Sequence, residues 1–324
     1  MNIAPITVKT MIPPSNNKSC IESHHMRLSD AITASANSVE HFLDRELSES
    51  NLSSPYPAPS RLINAVRHGA LNGGKRLRPL LVKLSAELIG DTKGDLVRAG
   101  AAVEYVHCYS LVHDDLPDMD DDDLRRGQPT VHVAFDPATA ILAGDSLLTH
   151  AFGVLADART HPDANIRTQL ITELVKGAGV GGMAGGQMRD IEGERQGYDP
   201  ETISLIHAMK TGAIIRASVR MGAIMANATI AQLAKLTEFA ESAGRIYQLA
   251  DDILDATKSS AQLGKTAGKD AAQGKSTLIA SHGLDHAHEV LNEELQGALA
   301  LLEPFGERAR LMNELVTHFA KREA

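Results

Sequence analysis

Thr229 to Asp255 reads TIAQLAKLTEFAESAGRIYQLADDILD, a long apolar stripe that ends in acid. Leu233, Leu236, Ala240, Ala243, Tyr247, Ala250 and Leu254 recur in alternating steps of three and four, the spacing of one face of a 3.6-residue helix. Thr229 and Gln232 fit a capping box, in which each side chain accepts from the other's backbone N–H, so the helix start is marked locally. The stripe therefore predicts a long helix packed into a helical core. Gln248, Asp251, Asp252 and Asp255 fall at i, i+3, i+4 and i+7 and share one face beside it. Acids at a helix C-terminal end oppose the dipole, so stability alone does not place them there.

A second acidic run, Asp114-Asp115-Leu116-Pro117-Asp118-Met119-Asp120, lies well over a hundred residues upstream. His107 and Asp114 are seven apart and share a helical face, while Pro117 ends or bends that helix and splays the later acids into a loop. Taken alone, Asp114 to Asp123 reads equally well as a solvated turn. The second cluster shifts the balance, because carboxylates are hard donors for Mg²⁺, which is held by one or two of them together with substrate phosphates. Two such half-sites facing each other would trap a diphosphate. An EF-hand is excluded: in the run from Asp118, Asp123 stands at the sixth position, where glycine is needed, and the twelfth position has no acid.

Cations complete the pattern. Arg125-Arg126-Gly127 follows the first acidic run, and Gly73-Gly74-Lys75-Arg76-Leu77-Arg78-Pro79 reads as a glycine turn that releases basic side chains before a proline-led helix. Arginine forks and lysine ammonium groups are the usual partners of phosphate oxygens. In isolation the second string could be a surface turn. Gly264-Lys265-Thr266 and Gly274-Lys275-Ser276 lack the strand and upstream glycine of a nucleotide-binding loop.

With 324 residues, 43% of them hydrophobic, the chain can bury a large core. A formal charge of -9 argues against nucleic acid as a partner. The two cysteines, Cys20 and Cys108, form no zinc or CxxC spacing and fit a reducing cytosol. No run approaches the roughly 20 apolar residues of a membrane span, and no secretory core is present, so a cytoplasmic protein is expected. Residues 1–25, rich in Pro, Ser, Asn and Thr, read as a disordered leader. A transit peptide fits less well, since basic residues are few and Glu22 is present, and His24-His25 reads as accidental. From Met26, Leu28, Ile32, Val39, Phe42, Leu43 and Leu47 are amphipathic, so residues 26–324 form the expected domain. Asp199-Pro200 marks another helix start. About ten helices in one all-α bundle are predicted, with no solenoid repeat.

Asp114 to Thr130, Gly73 to Pro79, Gly185-Gly186-Gln187, Lys210-Thr211 and Asp251 to Asp255 together resemble the trans-isoprenyl (polyprenyl) diphosphate synthases, in that family's order and approximate spacing. The similarity runs from about Met26 to the C-terminus and is greatest to the bacterial short-chain, farnesyl type. It implies a helical bundle around a central cavity, a homodimer, and isopentenyl and allylic diphosphates as substrates. By resemblance, Asp114, Asp115, Asp120, Asp251, Asp252 and Asp255 would hold about three Mg²⁺, with Mn²⁺ able to substitute. Arg125, Lys210 and Lys265 correspond to cations that grip the leaving diphosphate. Gly74, Lys75, Arg78, His107 and Arg126 correspond to the metal-free isopentenyl pocket. Thr211 and Gln248 correspond to dipoles that steady an allylic cation, and Gln187 and Asp190 stand behind the ligands. No covalent nucleophile is implied, and Cys108, Ser110 and His113 read as structural.

Tyr109, five before the first aspartate, is the position that often floors the product cavity in this family, and its bulk implies a C15 product. Five residues are about 7.5 Å of helix, although the projection sets Tyr109 some 140° from Asp114. The two extra residues of the first motif, Pro117-Asp118, also resemble the bacterial type. A C20 synthase is the alternative within the class. A class I terpene cyclase fits less well given two cationic stretches, and a silent partner subunit less well given two intact acidic motifs. Lys321-Arg322-Glu323-Ala324 does not reproduce the basic tail that often closes the isopentenyl pocket.

Overall fold

The computed structural model describes residues 26–53, 55–196, 198–257 and 283–321. The leader, Cys20, His24-His25, Lys265 and the last three residues of the tail lie outside the described residues. In chain order come α1 (Leu28–Glu46), α2 (Glu49–Leu52), α3 (Ser60–Ala70), α4 (Leu77–Ile89) and α5 (Leu96–Asp114). A two-residue ladder, β1 (Leu124–Arg125) with β2 (Gln128–Pro129), precedes α6 (Val131–Ala134), α7 (Pro137–Ala156), α8 (Ala164–Ala178) and α9 (Met183–Gln196). Then follow α10 (Pro200–His207), a π turn (Ala208–Gly212), α11 (Ala213–Met225) and α12 (Ile230–Thr257). After α12 the described residues resume with α13 (Leu284–Leu302), a 3-10 turn (Glu303–Ala309) and α14 (Arg310–Ala320). Twelve of these helices have eight or more residues, and α10 runs into α11 through the π turn, so the architecture is the expected all-α bundle.

Local signals set several boundaries. Gln232 N–H donates to Thr229 Oγ1 at 3.2 Å and Thr229 N–H to Gln232 Oε1 at 2.9 Å, a reciprocal capping box. Asp199 Oδ1 accepts from Thr202 N–H at 2.8 Å ahead of Pro200. The proline-led helix needs correction: α4 begins at Leu77, with Pro79 inside its first turn, where a missing N–H leaves no bond unmade. Arg76 is the N-cap instead, with φ 47.

Two apolar clusters share the central pair α4 and α11. One gathers α1, α3, α5, α7 and α8; the other gathers α12, α13 and α14. Gly222 lets the pair approach, since any Cβ there would run into the Val82 carbonyl, and Ser85 Oγ donates to Val219 O at 2.6 Å across the seam. The stripe on α12 is wider than the sequence pattern, because α11 packs on one side and α13 on the other. Phe239, Ile246 and Ile253 are buried, while Tyr247 and Leu254 are only partly so.

Helix α7 qualifies the reading that no run approaches a membrane span. Its 20 residues, with Asp145 as the single formal charge, have a mean hydropathy of 1.3, enough by length and composition to cross one. In the fold it packs on α3 and α5, burying Ala143, Leu147, Ala151 and Leu155.

Candidate active site

Helix α5 carries the first acidic loop at its end and part of a cavity wall two turns earlier. It ends at Asp114, and the following loop folds back so that Asp120 N–H donates to Asp114 O at 2.8 Å and Asp121 N–H to Leu116 O at 3.1 Å. Asp115 is buried while Asp120 stays exposed. Burial pushes the Asp114 carboxyl up to about 7, with Lys210 pulling it down and Asp120 adding to the rise. Burial also raises Asp115, against the pull of Arg125. Arg125 donates to Asp115 through Nε at 2.9 Å and through Nη2, and reaches Asp122 at 3.2 Å.

A further cation, Lys210, comes from the π turn. Lys210 Nζ donates to Asp190 Oδ2 at 2.7 Å on α9 and lies close enough to Asp114 to act on its charge. Gly186 is required here, because a Cβ would fall on the Lys210 backbone, 2.8 Å from its Cα. Beside it, Gln187 Oε1 is buried without a hydrogen-bond partner. On the opposite side of the turn, Gly212 meets α12 at Gly244, where a Cβ would lie 3.0 Å from the Gly212 Cα. Gln248 follows Gly244 by one turn of α12, and Asp251, Asp252 and Asp255 follow by two to three. The π turn thus bridges the end of α5, through Lys210, and α12, through Gly212, with Thr211 between these two residues in sequence.

Among the described residues no three His, Cys, Asp or Glu side chains form a ready metal cage. For Mg²⁺, which is usually held by one or two carboxylates with substrate phosphates, the acids would serve as partial donor sets. Asp114, desolvated beside two further carboxylates, and the orphaned Gln187 oxygen fit a hydrated cation.

Two turns before Asp114, α5 opens on a cavity of about 330 Å³. Gly74, Lys75, Arg78, His107 and Arg126, scattered in sequence, all line it. At Gly74, with φ 126, a Cβ would sit 2.6 Å from the Arg126 guanidinium. Arg126 and Gly127, both at positive φ, form the tip of the β1–β2 hairpin, turning Arg126 away from Arg125. Arg126 Nη1 donates to Asn72 Oδ1 at 2.9 Å and to the Gly73 carbonyl. Burial, reinforced by Arg78, Arg126, Arg76 and Arg125, holds His107 well below its ordinary value, so its imidazole is neutral. Arg78 Nε is buried with no hydrogen-bond partner, which leaves it a donor to spare.

The sequence does not single out the rest of this wall, which is Leu77, Leu81 and Ile215 together with Arg76, Glu104, Tyr247 and Phe319. Arg76 lay inside a quoted motif, and Glu104 sits on the His107 face of α5, three residues earlier. Tyr247 and Phe319 pack edge to face with centroids 5.4 Å apart, and nothing local marks Phe319.

Tyr109 does not line this cavity. It is half-buried against the first apolar cluster, its ring edge-on to His113 at 5.8 Å. His113 Nε2 bonds Ile141 O at 3.0 Å and leaves no room for a Cβ at Gly144. Ser110 Oγ donates to its own helix at His107 O, and burial pushes the Cys108 thiol up to about 12, so neither is poised as a nucleophile.

The chain matches the polyprenyl synthetase family over residues 59–313. It is 44% identical over 251 residues to the farnesyl diphosphate synthase of Escherichia coli, covering 76% of this chain and 84% of that one. It is 41% identical over 251 residues to a chloroplastic geranylgeranyl pyrophosphate synthase of Capsicum annuum, covering 77% and 68%. A crystal structure of an FPP/GFPP synthase from Zymomonas mobilis superposes with a TM-score of 0.79 at 34% identity, covering 90% of this chain and 98% of that one. With its matched span and these identities added to the fold, the chain belongs to the polyprenyl synthetase family.

Proposed function

We propose that the chain is a prenyltransferase that condenses isopentenyl diphosphate with dimethylallyl and then geranyl diphosphate to give farnesyl diphosphate. The observation that carries this reading is one cationic cavity, two turns along α5 from the first acidic loop, whose lining brings together Gly74, Lys75, Arg78, His107 and Arg126 from three stretches of sequence. His107 and Asp114, seven residues apart on one face, set the two anion sites about 10.5 Å from each other. That is room for a five-carbon unit.

Asp114, Asp115 and Asp120 on one side and Asp251, Asp252 and Asp255 on the other would hold Mg²⁺. When bound, Mg²⁺ supplies charge stabilisation to the departing diphosphate. Lys210 and Arg125 exchange their carboxylate partners for diphosphate oxygens, joined in this reading by Lys265. Lys75, Arg78 and Arg126 hold isopentenyl diphosphate, with the orphaned Arg78 Nε as one donor and neutral His107 as a hydrogen-bonding partner that adds no repulsion to the cations. Thr211 and Gln248 turn oxygen dipoles toward the allylic cation. Leu81, Ile215, Tyr247 and Phe319 make the wall apolar and exclude water that would quench it. The final proton passes to the released diphosphate, so no side-chain base is needed.

The reading includes a homodimer in the cytoplasm. Ile141 and Leu142, exposed on apolar α7, support pairing of two copies, and the buried unpaired thiol of Cys108 supports a reducing setting. Similarity to a geranylgeranyl pyrophosphate synthase keeps C20 as the second reading. The test is incubation with Mg²⁺, isopentenyl diphosphate and dimethylallyl diphosphate, followed by product sizing after dephosphorylation. A C15 alcohol is expected; C20 would move the assignment to the second reading, and no elongation by folded protein would overturn the enzyme.

A further inference from the structure

Arg76 sits in the middle of a basic string yet is the one cation there that leaves solvent entirely. Its backbone is left-handed, φ 47 and ψ 44, one residue beyond Gly73 and Gly74 at φ 80 and 126, with Lys75 between them. This reversal buries the Arg76 side chain at the back of the cavity wall, while Lys75 and Arg78 line the same wall with partly exposed side chains. Inside, the guanidinium uses all five N–H groups. Nε and Nη2 donate to Glu40 Oε1 on α1 at 2.9 and 2.6 Å, and Nη2 also to Ala70 O at the end of α3 at 2.7 Å. Nη1 donates to Glu104 Oε1 on α5 at 2.6 Å and faces Cys108 Sγ at 3.7 Å. Three helices are thereby tied to the turn that carries the cavity's basic residues.

Charge makes the same point. Lys75, Arg78 and Arg126 crowd one cavity and repel one another, and Arg76 beneath them adds a fourth positive charge. Glu104, almost fully buried in the wall, and Glu40 behind it offset that repulsion. A buried fork of this kind is strongly destabilised by loss of one partner, because the other charge is left uncompensated.

We infer that Arg76, held by Glu104 and Glu40, is a positioning residue that sets Lys75 and Arg78 for the metal-free diphosphate, so its loss weakens isopentenyl diphosphate binding selectively. This rests on the assignment of the cavity to isopentenyl diphosphate.

The test compares Arg76→Lys, Glu104→Gln and the double variant with Lys75→Ala, each shown to be folded by circular dichroism. Lysine keeps the charge but has three donors in place of five and no fork. Arg76→Lys and Glu104→Gln should each raise KM for isopentenyl diphosphate by about ten-fold or more, with KM for the allylic substrate and kcat within about three-fold. The double variant should be little worse than either single one, since both break the same contact. Calorimetric titration with isopentenyl diphosphate alone should show the same loss, without reference to turnover. An unchanged isopentenyl KM in folded Arg76→Lys, or a parallel collapse of both substrates' constants, would overturn the inference. If Lys75→Ala leaves that KM unchanged, the cavity assignment fails and the inference falls with it; if Lys75→Ala raises it and Arg76→Lys does not, only the positioning role falls.

Discussion

Arg125 forks onto Asp115, donating from Nε at 2.9 Å, so a carboxylate assigned to metal and a cation assigned to diphosphate occupy each other. Each satisfies the other's charge here, and in the proposed reaction a metal diphosphate would replace both partners. Asp115→Ala should therefore lower kcat by about 10² or more while changing stability by no more than about 1 kcal/mol, since Arg125 is partly exposed and keeps Asp122 at 3.2 Å. Asp122→Ala should cost only a few-fold. Steady-state rates over a Mg²⁺ series decide the matter; near-normal turnover with unchanged Mg²⁺ dependence in Asp115→Ala would sink the metal assignment.

Asp114 gives a pH signature. Burial, with Asp120 and Asp115 adding to it, lifts its carboxyl from the ordinary 3.8 to about 7. Between those values the folded chain keeps a proton that the unfolded chain gives up, so the stability of metal-free protein falls as pH rises, and the slope levels off above about 7. A metal requires the carboxylate, so Mg²⁺ binding at pH 6.5 should release a proton and tighten as pH rises toward 8. Calorimetry in buffers of different ionisation enthalpy measures that release. Asp114→Asn should abolish it; equal release by the variant would place the titrating group elsewhere.

The acid-bearing helices could be read in advance because their signals are local. The Thr229 capping box, the α12 stripe and the Pro117 stop each act within a few residues, and they put Asp251, Asp252 and Asp114 at helix ends. Pro79 does not fix where α4 starts, because proline fits any position of a first turn, where N–H groups have no partner. The inner wall was illegible for a different reason. Glu104 matters only because a left-handed Arg76 turns inward to meet it, and Phe319 reaches Tyr247 from helix α14, 72 residues later in sequence. The π turn, which aims Lys210 and Thr211, has no sequence period of its own.

Gly186 tests how tightly that π turn is held. A methyl group there would overlap the Lys210 backbone, and backbone cannot rotate away as a side chain can. Gly186→Ala should cost about 1–3 kcal/mol of stability and push Lys210 off its 2.7 Å bond to Asp190. The expected kinetic result is a fall in kcat with a rise in allylic KM, while isopentenyl KM stays near wild type. Thermal melts and substrate-resolved kinetics check both parts. Wild-type kinetics in the variant would mean that α9 can move without disturbing the turn.

Tyr109 carries the product-length reading, and its surroundings say how. Its ring is braced by His113, which is bonded to Ile141 O and wedged against Gly144, so the phenol has one firm side. Removing the ring opens space between α5 and α7 without touching the cationic cavity, whose wall it does not share. Tyr109→Ala should therefore extend the product from C15 toward C20, with isopentenyl KM within about three-fold of wild type and a stability loss of about 3–5 kcal/mol at most, less if the space collapses. Product sizing by chromatography decides it. If the variant still stops at the wild-type length, the floor lies elsewhere and the C15 reading loses its structural support.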